Sequence, residues 1–169
     1  MSENEFMYSA EVLRNKGIET NFAAVVKDEE DWIKKYDDNG EIKTEPKYIR
    51  FSHNVIADIE EEWGGLQTWQ EDLEDKPIST LRKTLAKMFN CTPDKVGAMM
   101  IEGRLAEYNN AIGVAWSVAN GVDPTIAIRL LEQTKIAVDS QIKMINQEMG
   151  DLITELEEAT TEATPGEKQ

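Results

Sequence analysis

The spacing of apolar side chains changes character near residue 50. Before it, short apolar runs with β-branched residues alternate with turn signals; after it, apolar positions recur every three or four residues, the period of a helix face. Phe6, Ala10 and Leu13 stand at helical spacing, and Gly17 suits a helix stop. Residues 22–26 read as a strand. Asp38-Asn39-Gly40 predicts a tight turn, because Asn and Gly tolerate positive φ, with residues 32–36 and 41–44 flanking it. In residues 47–51, Tyr48 and Arg50 point to one face of a strand and Ile49 and Phe51 to the other. These pieces predict a small N-terminal antiparallel β element.

From Asn54 onward the pattern predicts helices. Asn54 is the expected N-cap of the first, whose inner face is Val55, Ile56, Ile59 and Trp63, and Gly64-Gly65 is its stop. Leu66, Trp69, Gln70 and Leu73 define a second helix, which Pro77 breaks. Ser79 is the expected cap of a third, with Leu81, Leu85, Met88 and Phe89 inside. Thr92-Pro93-Asp94 restarts the chain: a capping hydroxyl, a proline in the first helical position and an acid near the positive helix end. Val96, Met99 and Met100 face inward there. Leu105, Tyr108, Ile112, Ala115, Trp116 and Ala119 line a longer helix ending at Asn120-Gly121.

The last helix opens with another cap-then-proline pair, Asp123-Pro124. Ile128, Leu131, Lys135, Val138, Ile142, Ile145, Met149, Leu152 and Leu156 follow at alternating steps of three and four. That is a 3.5-residue repeat, interrupted only by Lys135, and it marks a seam that packs along another helix. From 124 to about 157 such a helix would be roughly 50 Å long. Either it packs lengthwise on its own bundle, or its distal half meets another subunit or partner along Val138, Ile142, Ile145, Met149, Leu152 and Leu156.

The fold class expected is therefore mainly α, a helical bundle with a small N-terminal antiparallel β element and a long C-terminal amphipathic helix. Residues 1–47 read as an N-terminal extension with a β-hairpin, 48–122 as a helical core, 123–157 as the long helix and 158–169 as an acidic tail.

Charge narrows the partners. The 169 residues carry 18 basic and 33 acidic side chains, a net charge of −15. Such a surface repels nucleic-acid phosphates and anionic membranes, so neither is an expected partner. No apolar stretch approaches the ~20 residues of a membrane span, and the first dozen residues lack the pattern of a secretory signal. Cys91, the one cysteine, excludes an internal disulfide and suits a reducing cytoplasm.

Catalytic patterns are sparse. His53 is the single histidine, so no multi-histidine metal motif exists. Cys91 stands at a helix N-terminal boundary, a place that can lower a thiol pKa, but has no recognisable partner base other than the single His53. Gly64-Gly65 lacks the spacing of a phosphate loop. The Asp37–Glu41 stretch fails as a calcium loop, because Lys35 and Pro46 fall where the first and last ligands belong. The acid runs at 28–31, 60–62 and 71–75 read as solvated faces. The expectation is a non-enzymatic chain with no catalytic residues, no metal site and no cofactor.

What the composition offers instead is a protein-binding surface. The chain has 7 Met and 4 Trp. Methionine side chains are flexible and polarizable, so a Met-rich patch adapts to varied apolar partners. The candidate partner-binding residues are Trp63, Trp69, Met88, Met99, Met100 and Trp116, with core filling as the competing role for the same side chains.

The segment from 47 to 103 resembles a known family. Tyr48-Ile49-Arg50-Phe51-Ser52-His53-Asn54-Val55-Ile56-Ala57-Asp58-Ile59-Glu60-Glu61-Glu62-Trp63-Gly64 resembles the strand-then-helix opening of tail assembly chaperones of long-tailed bacteriophages. Ile78-Ser79-Thr80-Leu81-Arg82-Lys83-Thr84-Leu85 is similar to that family's arginine-bearing second core helix, and Thr92-Pro93-Asp94-Lys95-Val96-Gly97 to its helix restart. The order and spacing of the three pieces carry the resemblance, which covers about a third of the chain. It implies a small helical protein that coats the aggregation-prone tape measure protein and helps recruit tail tube subunits in the host bacterial cytoplasm. It also implies absence from the mature virion, and often a longer product made by ribosomal frameshifting. The longer N-terminal segment and the heptad helix depart from the family.

The partners expected are the tape measure protein, the tail tube protein and further copies of the chain itself. Two rival readings stand beside this one: a structural tail or neck component retained in the virion, and an acidic DNA-mimic inhibitor. Against the mimic, the acids interleave with lysines rather than covering one face.

Overall fold

The computed structural model describes residues 10–162. The chain divides into two compact units, Met1–Leu131 and Glu132–Gln169. In chain order the elements are α1 (Ala10–Asn15), β1 (Ile18–Ala23), β2 (Val25–Asp28), β3 (Asp31–Lys34), β4 (Thr44–Ile49), α2 (His53–Trp63), α3 (Leu66–Asp75), α4 (Pro77–Phe89), α5 (Pro93–Met99), α6 (Leu105–Ala119) and α7 (Pro124–Glu162). The fold is a mainly helical bundle with a small N-terminal antiparallel β element and a long C-terminal helix. The expected place of Phe6 and the end of the expected tail, 163–169, lie outside the described residues.

The β element is two antiparallel pairs. β1 pairs with β4, Ile18 opposite Ile49 and Phe22 opposite Glu45. β2 pairs with β3, Val25 opposite Lys34 and Lys27 opposite Trp32. The expected turn is present: Asp37 Oδ1 accepts the Asn39 and Glu41 amides, and Gly40 has φ 79°. Its flanks, however, meet only at an isolated Tyr36–Ile42 bridge. Residues 31–34 pair backwards with 25–28 instead, around Glu29 at φ 56°. The acid run at 28–31 is therefore a hairpin turn, where charged side chains reach water. The expected boundary at 47/48 falls inside β4, whose Ile49 is fully buried.

Local chemistry explains several helix ends. Ser52, not Asn54, caps α2: its Oγ accepts the Val55 amide at 3.2 Å, and Asn54 is already helical. Gly64 ends α2 at φ 73°, a left-handed geometry that costs glycine little. α4 starts at Pro77 rather than at Ser79, with Lys76 in the cap position and no side-chain cap bond. A proline tolerates the first helical position because its missing N–H has no intrahelical partner there anyway. Thr92 Oγ1 accepts the Lys95 amide at 3.3 Å with Pro93 and Asp94 following, as expected from that triplet.

One core joins the helices of unit 1 to β1 and β4. Phe22, Ile49, Ile59, Leu81, Leu85, Val96 and Tyr108 are all fully buried. Phe22 stacks on Tyr108 at 4.7 Å between ring centres and meets the edge of Phe89 at 5.2 Å. A second aromatic group, Phe51, Trp69 and Trp116, has centre separations of 5.1–5.6 Å. Offset and edge contacts at such distances add to simple area burial. Pro124 and Ala127 bury the start of α7 in unit 1. In unit 2 the helix continues unbroken to Glu162, five residues into the segment expected as tail.

Candidate functional site

The candidate binding residues in unit 1 divide between core and surface. Trp69 and Met99 are 1% and 3% exposed, so neither is accessible to a partner. Trp69 donates its indole N–H to Thr84 Oγ1, and Met99 belongs to the central cluster. Trp116 and Met88 are half-buried against the same cluster. Trp63 is also half-buried; its indole donates to Asp72 Oδ2 at 3.1 Å, and Lys87, itself ion-paired with Glu62, lies over its ring. Met100 alone of the six opens into a surface groove.

That groove, of about 880 Å³, runs between the β2–β3 hairpin, the start of α4 and the α5–α6 connection. Trp32, Ile33, Ile78, Met100, Ile101 and Leu105 supply its apolar surface. Ile33 and Ile78 are 44% and 56% exposed, large values for isoleucine. Glu30, Asp31, Asp94 and Glu102 form an acidic rim, with Lys34 and Arg82 as its cations.

The walls are held from behind. Arg82 on α4 donates to the Pro93 carbonyl at 3.2 Å and pairs with Asp94 at 3.0 Å, locking α4 to the start of α5. The Tyr108 hydroxyl accepts the Ile101 amide at 2.8 Å and so fixes the α5–α6 connection. Lys95 sits over the Trp32 ring at 4.7 Å, a cation–π contact that tethers the hairpin to α5.

Sequence reasoning reached Met100 but not Ile33, Ile78 or Trp32 as surface groups. The signal was present for two of them. Trp32 and Ile33 are consecutive in a short strand, so they point to opposite faces and one cannot enter the same core as the other. Ile78 gave no such signal: it stands three residues before Leu81 and seven before Leu85, in phase with the inner face, and it lies ahead of the expected Ser79 cap, in the first turn of α4, where it is exposed.

His53 is exposed and lines a separate cleft of about 380 Å³ with Arg14 and Arg50. Burial pushes the Cys91 thiol up from its ordinary value, while Lys95 and Lys47 act in the opposite direction with smaller effect. The lowered pKa expected from the helix boundary is thus overturned by desolvation. No group of three or more His, Cys, Asp or Glu among the described residues is placed to hold a metal ion. No helix among them is long and apolar enough to cross a membrane.

Unit 2 carries the other apolar surface. Ile142, Ile145, Met149, Leu152 and Leu156 are 44–61% exposed, and Val138 is half-buried. Ile128 and Leu131, the first two positions of the same heptad series, pack against the unit 1 core. The series thus changes role along one helix, from core contact to exposed seam.

Comparison with protein-family models, curated proteins and solved structures finds no match to this chain.

Proposed function

We propose that this chain is a non-enzymatic tail assembly chaperone of a long-tailed bacteriophage, which holds an amphipathic helix of the tape measure protein in the unit 1 groove. The observation that carries the reading is the groove itself: apolar side chains that include Ile33, Ile78 and Met100, inside a rim where Glu30, Asp31, Asp94 and Glu102 outnumber Lys34 and Arg82. A helix whose apolar stripe is flanked by Lys or Arg fits both features. The ordered resemblance across residues 47–103 supplies the partner, since a tape measure protein is long, helical and prone to aggregate through such stripes. The net charge of −15 suits the task, because like-charge repulsion keeps loaded complexes apart in solution.

In this reading the chaperone works in the host bacterial cytoplasm, helps bring tail tube subunits to the tape measure protein, and leaves before the particle is complete. Co-expression with the tape measure protein encoded in the same gene cluster tests it. The expected result is soluble, co-purifying tape measure protein, lost in an Ile33→Asp, Ile78→Asp double variant that keeps its own fold. Tape measure protein that stays insoluble and uncaptured beside the unaltered chain would count against the proposal. Detection of the chain by mass spectrometry in purified virions would favour a retained tail or neck component.

A further inference from the structure

We propose that the exposed seam of α7 is a dimer contact, made with the same seam of a second copy running antiparallel about a two-fold axis at Gln147. The pairing rests on unit 2 alone and does not depend on what the unit 1 groove binds.

Register is the first argument. In an antiparallel two-helix coil, alternate seam positions face one another across the axis. Centred on Gln147, Val138 faces Leu156 of the second copy, Ile142 faces Leu152, and Ile145 faces Met149. Each of the six seam residues, five exposed and Val138 half-buried, therefore meets another of the six. A contact of this kind is isologous, the same patch serving both copies, and it closes at two.

Lys135 fixes the direction. It occupies a seam position one step before Val138. A parallel, in-register pair would set Lys135 against Lys135 inside the contact, two like charges losing water together. In the antiparallel pair it faces Ala159 of the second copy, beside the acidic positions 155 and 162.

Charge along the helix agrees. Residues 132–143 hold two acids, Glu132 and Asp139, and two lysines, Lys135 and Lys143, whereas residues 144–162 hold six acids and no base. A parallel pair lays one acidic half beside the other. The antiparallel pair lays each acidic half along a neutral one. Glu148 against its own copy is the one like-charge pair that flanks this seam, and the Asn146 amides meet across the axis on the opposite flank.

The helix also needs such a partner. Asp151 and Glu155, and Glu158 and Glu162, stand four residues apart, where like charges repel, and no basic residue lies in the last turn to offset the helix dipole. Gly150 weakens the helix interior further. A long helix gains most of its stability from packing an apolar stripe, and in unit 2 that stripe is exposed.

Sedimentation equilibrium of the full chain tests the contact. The expected species is a dimer of the 19.1 kDa chain, converted to monomer by Ile145→Asp, and separately by Leu152→Asp, with unit 1 still folded by its tryptophan near-UV signal. A chain that stays monomeric at 100-micromolar order, or a dimer indifferent to both variants, overturns the proposal. Direction is read by double electron–electron resonance on spin-labelled Gln133→Cys in a Cys91→Ser background. Antiparallel copies place the two labels about 40 Å apart along the coil, and parallel copies within about 20 Å. The short distance would overturn the antiparallel assignment. Capture of the tape measure protein by the Ile145→Asp monomer would leave the unit 1 reading standing by itself.

Discussion

The Trp69 indole nitrogen lies 2.9 Å from the Thr84 hydroxyl, and that hydroxyl in turn donates to the Thr80 carbonyl at 2.7 Å. Both side chains are buried, so one hydroxyl satisfies a donor on α3 and an acceptor on its own helix, out of reach of water. Such a relay ties α3 to α4 at a fixed rotation. A Thr84→Val change keeps the shape and leaves the indole N–H without a partner. The expected loss is about 1–3 kcal/mol, the cost of an unsatisfied buried donor. Urea denaturation followed by tryptophan fluorescence measures it, and Thr84→Ser should retain most of the stability.

Gly17 sits where α1 turns into β1, with φ 97°. A methyl group there would collide with the Ile49 carbonyl and the Arg50 Cβ. Gly17→Ala is therefore expected to destabilise unit 1 by more than the ~1 kcal/mol such a change can gain through the unfolded chain. A downward shift in the thermal midpoint is the readout.

Thr92 holds the first turn of α5, and α5 in turn anchors Lys95 beneath Trp32. Thr92→Ala should cost about 1 kcal/mol through loss of the cap. It should also loosen the hairpin side of the groove, seen as faster amide exchange at residues 31–34 than at 44–49.

Two titrations contribute to the pH dependence of unit 1. Burial raises the Tyr108 pKa above its ordinary 10.0, with the Ile101 amide acting oppositely. Folding then favours the neutral phenol: its contribution is intact below the unfolded pKa and disappears as pH rises through the folded one. Stability should fall above about pH 10, and Tyr108→Phe should flatten that fall while costing about 1 kcal/mol at neutral pH for the lost hydroxyl. Asp123 works in the other sense. The hydrogen bonds from Thr125 lower its pKa below 3.8, so its contribution is present above that value and fades as pH drops through the folded one. Acid and base titrations of the denaturation midpoint would display both limbs.

Local chemistry and global partner choice were not equally legible. Thr92-Pro93-Asp94 and Asp123-Pro124 could be read directly, because a cap and a first-position proline act within one turn. Asn54 lost its cap position to Ser52, another side-chain acceptor two residues earlier; which one serves depends on where β4 ends, a tertiary matter. Turn residues located the bend at 37–40 but not the ladder partner of residues 31–34. The turn that joins that ladder contains no glycine or asparagine, only the acids 28–31.

The candidate site shows the same divide. Periodicity puts Trp69, Met99 and Met100 on inner faces without saying whether a face meets its own core or another chain. Trp69 and Met99 are core, and Met100 sits at the groove. Ile33 alternates with Trp32 along its strand, so the two cannot share one core, whereas Ile78 is in phase with Leu81 and Leu85 and is exposed because it stands in the first turn of α4, which periodicity does not reveal.

Phe22 is clasped by Phe89 and Tyr108, residues made long after it. During synthesis, then, the N-terminal strands leave the ribosome with their greasy face unmatched until α6 has followed them out. The nascent chain must wait through most of its own translation before it can hide that face, so the stretch before residue 108 is where stalled or truncated products should cling to other proteins.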